Sequence, residues 1–204
     1  MKIFFCSFLV FFSWFTIGHT QERRILFLGD SLTEGYGVGK EKSYPTLIEK
    51  KLKAENKVPI HIINAGESGS KSSSALPRLR WQLQQKPSIL VLALGANDGL
   101  QGVNPTLMES NLDQTIQLAL DHRMKVLLVG MKMPFNYGED YRKKFEQAYD
   151  HLIKKYGKKI VWHPFLLKDI AGKKELNLPD GIHPNEKGHE MMASSLLKTL
   201  KPML

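Results

Sequence analysis

Four short segments of this chain carry residue types that can act together on a carbonyl group. In Gly29-Asp30-Ser31-Leu32-Thr33-Glu34-Gly35-Tyr36-Gly37, a serine stands between glycines directly after an apolar run. A helix or turn begins there, and backbone N–H groups at such a start point outward and favour negative charge. Ser31 is either a nucleophile or only the cap of that helix, a common duty of serine. In Asn64-Ala65-Gly66-Glu67-Ser68-Gly69-Ser70, Gly69 can turn its N–H toward a ligand or be an ordinary loop residue. In Leu94-Gly95-Ala96-Asn97-Asp98-Gly99-Leu100, the Asn97 amide can donate to a developing oxyanion or close an Asx turn. Asp180-Gly181-Ile182-His183-Pro184 is the most informative of the four. An acid three residues ahead of a histidine on a tight turn can hold one ring nitrogen and leave the other as a base. The competing reading is a surface histidine near a helix start. Taken together, the segments supply a nucleophile, an oriented base and independent N–H donors, the set that serine acyl transfer requires.

Other chemistries lack their residues. The chain has no G-x-G-x-x-G loop and no Walker lysine, which argues against dinucleotide and nucleotide binding. His189-Glu190-Met191-Met192-Ala193 starts like a zinc-protease helix but lacks the second histidine. His183 and His189 are spaced as a poor helical pair, so no metal ligand set is expected. The single cysteine, Cys6, excludes an intrachain disulfide and a multi-cysteine zinc site. His61 lies in an apolar strand and is expected to be structural. Asp30 and Asp98 adjoin candidate positions and are expected to brace their loops through hydrogen bonds.

Elements of a definite kind must position these loops. Five short runs rich in Ile, Val and Leu occur at Ile25–Leu28, Ile60–Ile63, Ile89–Leu94, Val126–Val129 and Ile160–Trp162. They barely alternate, which predicts strands buried on both faces in a parallel sheet. Between them Tyr44–Lys57, Ser73–Gln85, Thr106–His122 and Asp140–Tyr156 place apolar residues at helical spacing. A last helix is expected over Asn185–Leu200, with Met191, Met192, Leu196 and Leu197 facing inward. The alternation means βαβ units, hence an α/β fold: a three-layer α/β/α sandwich around a five-stranded parallel sheet. Ligands bind such sheets at the carboxyl ends of the strands, and all four segments follow strands or precede the last helix there.

A chain of 204 residues, 42% hydrophobic and 24% charged, reads as one globular domain. Residues 1–20 stand apart. Met1-Lys2 leads into an uncharged apolar run, Ile3 to Ile17, and small residues Gly18 and Thr20 precede Gln21. This is the pattern of a secretory signal peptide cut near Thr20-Gln21; the run is shorter than the roughly 20 residues of a membrane span. Retention as an anchor is the competing reading, and lipid attachment at Cys6 is disfavoured by the apolar sequence after it. Residues 21–204 then form the working domain, without cysteine and so without a cysteine nucleophile. A periplasmic or secreted bacterial protein is expected. The net charge is +9, yet the lysines fall in scattered pairs such as Lys50-Lys51, Lys154-Lys155 and Lys173-Lys174. Without interleaved aromatics these read as solvated helix faces rather than a nucleic-acid surface, with weak attraction to anionic lipid head groups as a secondary reading.

The four segments resemble, in order, the blocks of the SGNH hydrolases, also called GDSL esterases and lipases. Gly29-Asp30-Ser31-Leu32 matches the first block, Gly69 the second, Gly95-Ala96-Asn97-Asp98 the third and Asp180-Gly181-Ile182-His183-Pro184 the last. Further stretches, Met133-Pro134-Phe135-Asn136-Tyr137-Gly138 among them, are similar to the bacterial periplasmic subgroup of arylesterases, acyl-CoA thioesterases and lysophospholipases. The resemblance implies a flavodoxin-like fold and a triad of Ser31, His183 and Asp180. It also implies an oxyanion hole from the Ser31 and Gly69 N–H groups with the Asn97 side chain, and hydrolysis of carboxylic esters or thioesters without metal or organic cofactor. For the acyl group, Leu100 and the apolar loop with Met133, Pro134, Phe135 and Tyr137 form a candidate wall, or they only pack the sheet edge. A carbohydrate O-acetylesterase and an inactive binding protein on the same scaffold are the alternatives. No oligomeric state follows from the sequence.

Overall fold

The computed structural model describes residues 22–55 and 59–204. Segment 1–20, read above as a signal peptide, lies outside them. Five strands run through the centre: β1 (Arg23–Gly29), β2 (Ile60–Gly66), β3 (Ile89–Ala93), β4 (Lys125–Val129) and β5 (Ile160–His163). They pair in parallel in the order β2-β1-β3-β4-β5. Strands β1 and β3 lie inside the sheet, and their residues from Ile25 to Leu28 and Ile89 to Ala93 are almost fully inaccessible. The expectation of burial on both faces holds there and fails at the rims. β2 alternates at its start, with His61 exposed and within 3.6 Å of Glu49, and β5 leaves Val161 and Trp162 half-buried. An edge strand has one neighbour, so one flank stays open to water.

Among the described residues seven α-helices cover the sheet: α1 (Ser31–Glu34), α2 (Tyr44–Glu55), α3 (Ala75–Gln82), α4 (Ala96–Leu100), α5 (Pro105–Asp121), α6 (Glu139–Tyr156) and α7 (Glu186–Leu200). Helices α2 and α7 pack together, while α3, α5 and α6 pack in series. This is the three-layer arrangement. The helix starts are written locally. Asn104 accepts from Thr106 N–H ahead of Pro105 at the opening of α5, and Asn185 accepts from Gly188 N–H to start α7. The α7 face corrects one expectation. Met192, Leu196, Leu197 and Leu200 are buried, but Met191 is 37% exposed. It lies about 100° around the helix from Met192, off the buried stripe.

The order in which strands are added to the sheet reverses at β1, which has β2 on one side and β3 on the other. That crevice, beyond the carboxyl ends of β1 and β3, is the switch point where open α/β sheets bind ligands. Close packing at this edge needs small residues. At Gly66, the last residue of β2, a Cβ would overlap the backbone nitrogen of Glu34. The end of β2 thus lies against the turn of α1.

Candidate active site

Ser31 opens α1 immediately after β1. Asp30 caps this single turn by accepting from Leu32 N–H at 3.0 Å. Gly35 closes it at φ 91°, donating its N–H to Ser31 O, a left-handed backbone that glycine adopts without steric penalty. The turn is held at both ends, and the Ser31 N–H is one of the early amides that a helix leaves without an internal partner.

His183 reaches Ser31 from the loop before α7. Its Nε2 is 3.0 Å from Ser31 Oγ, and its Nδ1 is 2.8 Å from Asp180 Oδ2. The other carboxylate oxygen, Asp180 Oδ1, accepts from the N–H groups of Ile182 and His183 at 2.9 Å each. Those two backbone bonds, then the His183 ring, lower the Asp180 pKa to about 2. Asp180 is therefore ionised at neutral pH and accepts from Nδ1–H, which leaves Nε2 free to take a proton from Oγ. The Tyr36 ring packs on the imidazole, centroids 4.5 Å apart, and the Tyr36 N–H returns to Ser31 O at 3.1 Å. The imidazole side chain remains 22% exposed.

Gly69 and Asn97 arrive from the neighbouring strands. Gly69 follows β2 with φ 77°. Asn97 lies in α4 after β3 and donates one amide hydrogen to Ser70 O at 3.0 Å. An amide has a second hydrogen to give. The bond fixes Asn97 to the loop that holds Gly69. Asp98, next in sequence, is buried and accepts from Ser72 N–H at 2.7 Å and from the Ser72 hydroxyl at 2.6 Å. The expected bracing by Asp30 and Asp98 is thus present in both loops.

Several supporting residues carry no motif. Arg78 from α3 reaches across the sheet edge, donating to Gly29 O at 3.1 Å through each Nη, and to Ala65 O. It joins the ends of β1 and β2, with Glu67 3.4 Å from its Nε. Glu34 accepts from Ser68 N–H at 2.8 Å and from the Ser68 hydroxyl. Neither has a sequence signal, because the partners are backbone groups or lie far along the chain. Asp30 adds charge: burial raises its pKa to about 6, against the hydrogen bond from Leu32. Above that pH it is an anion near His183.

Two residues of the candidate acyl wall are tied together. Tyr137 donates its hydroxyl to Leu100 O at 3.1 Å, tying loop 131–137 to the end of α4. Met133 is buried, Pro134 is exposed, and Phe135 is 85% exposed with the Arg142 guanidinium 4.3 Å from its ring centroid. Met133 thus packs in the core, while Phe135 faces solvent. Among the described residues no group of three or more His, Cys, Asp or Glu side chains converges as a metal site would require.

Known proteins share this frame. The model of the GDSL-like lipase/acylhydrolase family matches residues 27–191. An arylesterase of Vibrio mimicus is 34% identical over 197 residues, covering 94% of this chain and 97% of that protein. Thioesterase 1/protease 1/lysophospholipase L1 of Escherichia coli K12 is 33% identical over 181 residues, covering 88% of this chain and 84% of that one. The crystal structure of TesA superposes with a TM-score of 0.84 at 33% identity, over 89% of this chain and all of that one. The family match takes in the end of β1, the other four strands and all four segments at the carboxyl edge of the sheet, so the chain belongs to the GDSL-like lipase/acylhydrolase family and is a carboxylic ester hydrolase.

Proposed function

We propose that Ser31 is the nucleophile of this hydrolase, His183 its general base and Asp180 the group that orients the base. The observation that carries this reading is the unbroken hydrogen-bonded line from Asp180 Oδ2 through both nitrogens of His183 to Ser31 Oγ. As Oγ attacks the acyl carbon, its proton passes to His183 Nε2. The Asp180 carboxylate, on the far side of the ring, stabilises the imidazolium. The carbonyl oxygen becomes an oxyanion, received by the N–H groups of Ser31 and Gly69 and by the second amide hydrogen of Asn97. When the tetrahedral species collapses, the bond to the leaving oxygen or sulfur breaks, and His183 returns the proton to it. Water then attacks the acyl-Ser31 ester with His183 again as base, releasing the acid.

Aryl esters, lysophospholipids and acyl thioesters are the proposed substrates. The acyl group would lie against Leu100, Pro134, Phe135 and Tyr137, with Met133 behind them in the core. Supporting this is the apolar character of that loop and its tie to α4, the helix of Asn97. The leader at residues 1–20 would be removed near Thr20-Gln21, delivering the domain to the periplasm or outside. There the basic helix faces would give it weak attraction to anionic membrane surfaces. Among the described residues no helix is long and apolar enough to cross a membrane.

A panel of esters and thioesters from acetyl to decanoyl, run on wild type and Ser31→Ala, tests the reading. The expected outcome is turnover that holds or rises toward hexanoyl, and a loss of about 10⁶ in kcat in the variant. Undiminished turnover by Ser31→Ala would reject the nucleophile. A steady fall from acetyl to hexanoyl would assign an O-acetylesterase instead.

A further inference from the structure

Gly69 occupies an exposed loop, and nothing lies within 4 Å of where a Cβ on it would be. Packing on that face therefore does not fix it. Polar ties hold its neighbours instead. Asn97 binds Ser70 O, Arg78 pairs with Glu67, and Glu34 accepts both the N–H and the hydroxyl of Ser68. The third tie differs from the others in its anchor. Glu34 is the last residue of α1, the same single turn that Ser31 opens. Ser68 is the residue whose carbonyl carbon bears the Gly69 nitrogen.

We propose that Glu34 is a positioning residue that latches the Gly69 loop to the nucleophile's own helix. In this way it sets the spacing between the Ser31 and Gly69 N–H groups. The inference rests on the oxyanion roles given to those two groups above. A spacing set by one rigid turn matters because displacing a reacting or stabilising group by about 1 Å can lower a rate about 10²-fold. The working property of Glu34 is its acceptor oxygen rather than its charge, since a nearby anion opposes a developing oxyanion. A glutamine keeps the acceptor and removes the charge.

The test compares wild type, Glu34→Ala, Glu34→Gln, Ser68→Ala and Ser31→Ala on p-nitrophenyl butyrate, with kcat and KM measured separately and thermal unfolding followed in parallel. Glu34→Ala should lose about tenfold in kcat, with KM within about twofold and little change in Tm. Glu34→Gln should recover most of that loss. Ser68→Ala, which keeps the N–H bond, should lose about two- to threefold. Full kcat in Glu34→Ala would overturn the latch. So would a loss that Glu34→Gln fails to restore, or one that follows KM or the unfolded fraction. If Glu34→Ala does not fold, the Ser68→Ala and Glu34→Gln results decide alone. Activity that persists in Ser31→Ala would mark failure of the underlying site reading, whereas an inactive Ser31→Ala beside a fully active Glu34→Ala would sink only the latch.

Discussion

At the scale of single residues, the site divides labour between the two oxygens of one carboxylate. Asp180 Oδ1 is spent on two backbone N–H groups, which fixes the carboxylate plane, and Oδ2 takes the imidazole. The oxygen that faces His183 is thereby aimed before any substrate arrives. Asp180→Asn would keep most of the backbone contacts but can present an N–H to Nδ1 and select the wrong tautomer. A loss of about 10⁴ in kcat is expected from steady-state ester hydrolysis, with KM little changed. A loss under tenfold would show that His183 does not depend on its partner. Ser31, Asp180 and His183, the candidate triad, were legible in the sequence because each sits in a short segment of distinctive residue types. Glu34, Tyr36 and Arg78 were not. Their partners are a loop serine and two carbonyls at the paired ends of β1 and β2, and a ring from the loop before α7, all brought close only by the fold.

At the scale of elements, side-chain hydrogen bonds tie the turns after β1, β2 and β3 to one another. Arg78 spans the ends of β1 and β2. The fully buried carboxylate of Asp98 joins α4 to the chain entering α3 by taking both donors of Ser72. Removing it strands a buried N–H and a hydroxyl. Asp98→Ala should therefore destabilise by about 2–4 kcal/mol, two buried donors at about 1–3 kcal/mol each with partial relief. Urea unfolding measures this, and a change below 0.5 kcal/mol, or about that, would mean that water replaces the carboxylate. The strands and long helices were readable from apolar spacing, and the alternation fixed the layer order. The rims were not, since one-sided exposure of β2 and β5 depends on which strands end up at the edges. Met191 shows the same limit inside a helix, where adjacent methionines fall on different faces.

At the scale of the whole molecule, two buried groups couple folding to pH with opposite signs. Burial raises Asp30 from 3.8 to about 6, so the native state holds its proton where the unfolded chain releases it. This group's contribution is fully present below about pH 4 and is lost as pH rises through 6. His189 is buried behind α2, where it accepts from Tyr44 N–H at 3.2 Å. Burial, then the charge on His183, lowers its pKa from 6.5 to about 4. Its contribution is present above 6.5 and is lost as pH falls through 4. Asp30→Asn removes the first dependence only. The Tm of the variant relative to wild type should rise between pH 4 and pH 7, or thereabouts, in matched thermal scans. A constant difference across that range would show that Asp30 does not titrate there. Composition and charge do not reveal these couplings, which arise from burial in the finished fold.

The central claim is that Ser31 is activated by the residues across the crevice, and covalent labelling reads it directly. Purified protein treated with paraoxon at neutral pH should carry one diethylphosphoryl group, located on Ser31 by peptide mass spectrometry, and His183→Ala should label at least about 10³ times more slowly. An unlabelled wild-type protein, a label on a different serine, or equal labelling of the His183 variant would contradict the account.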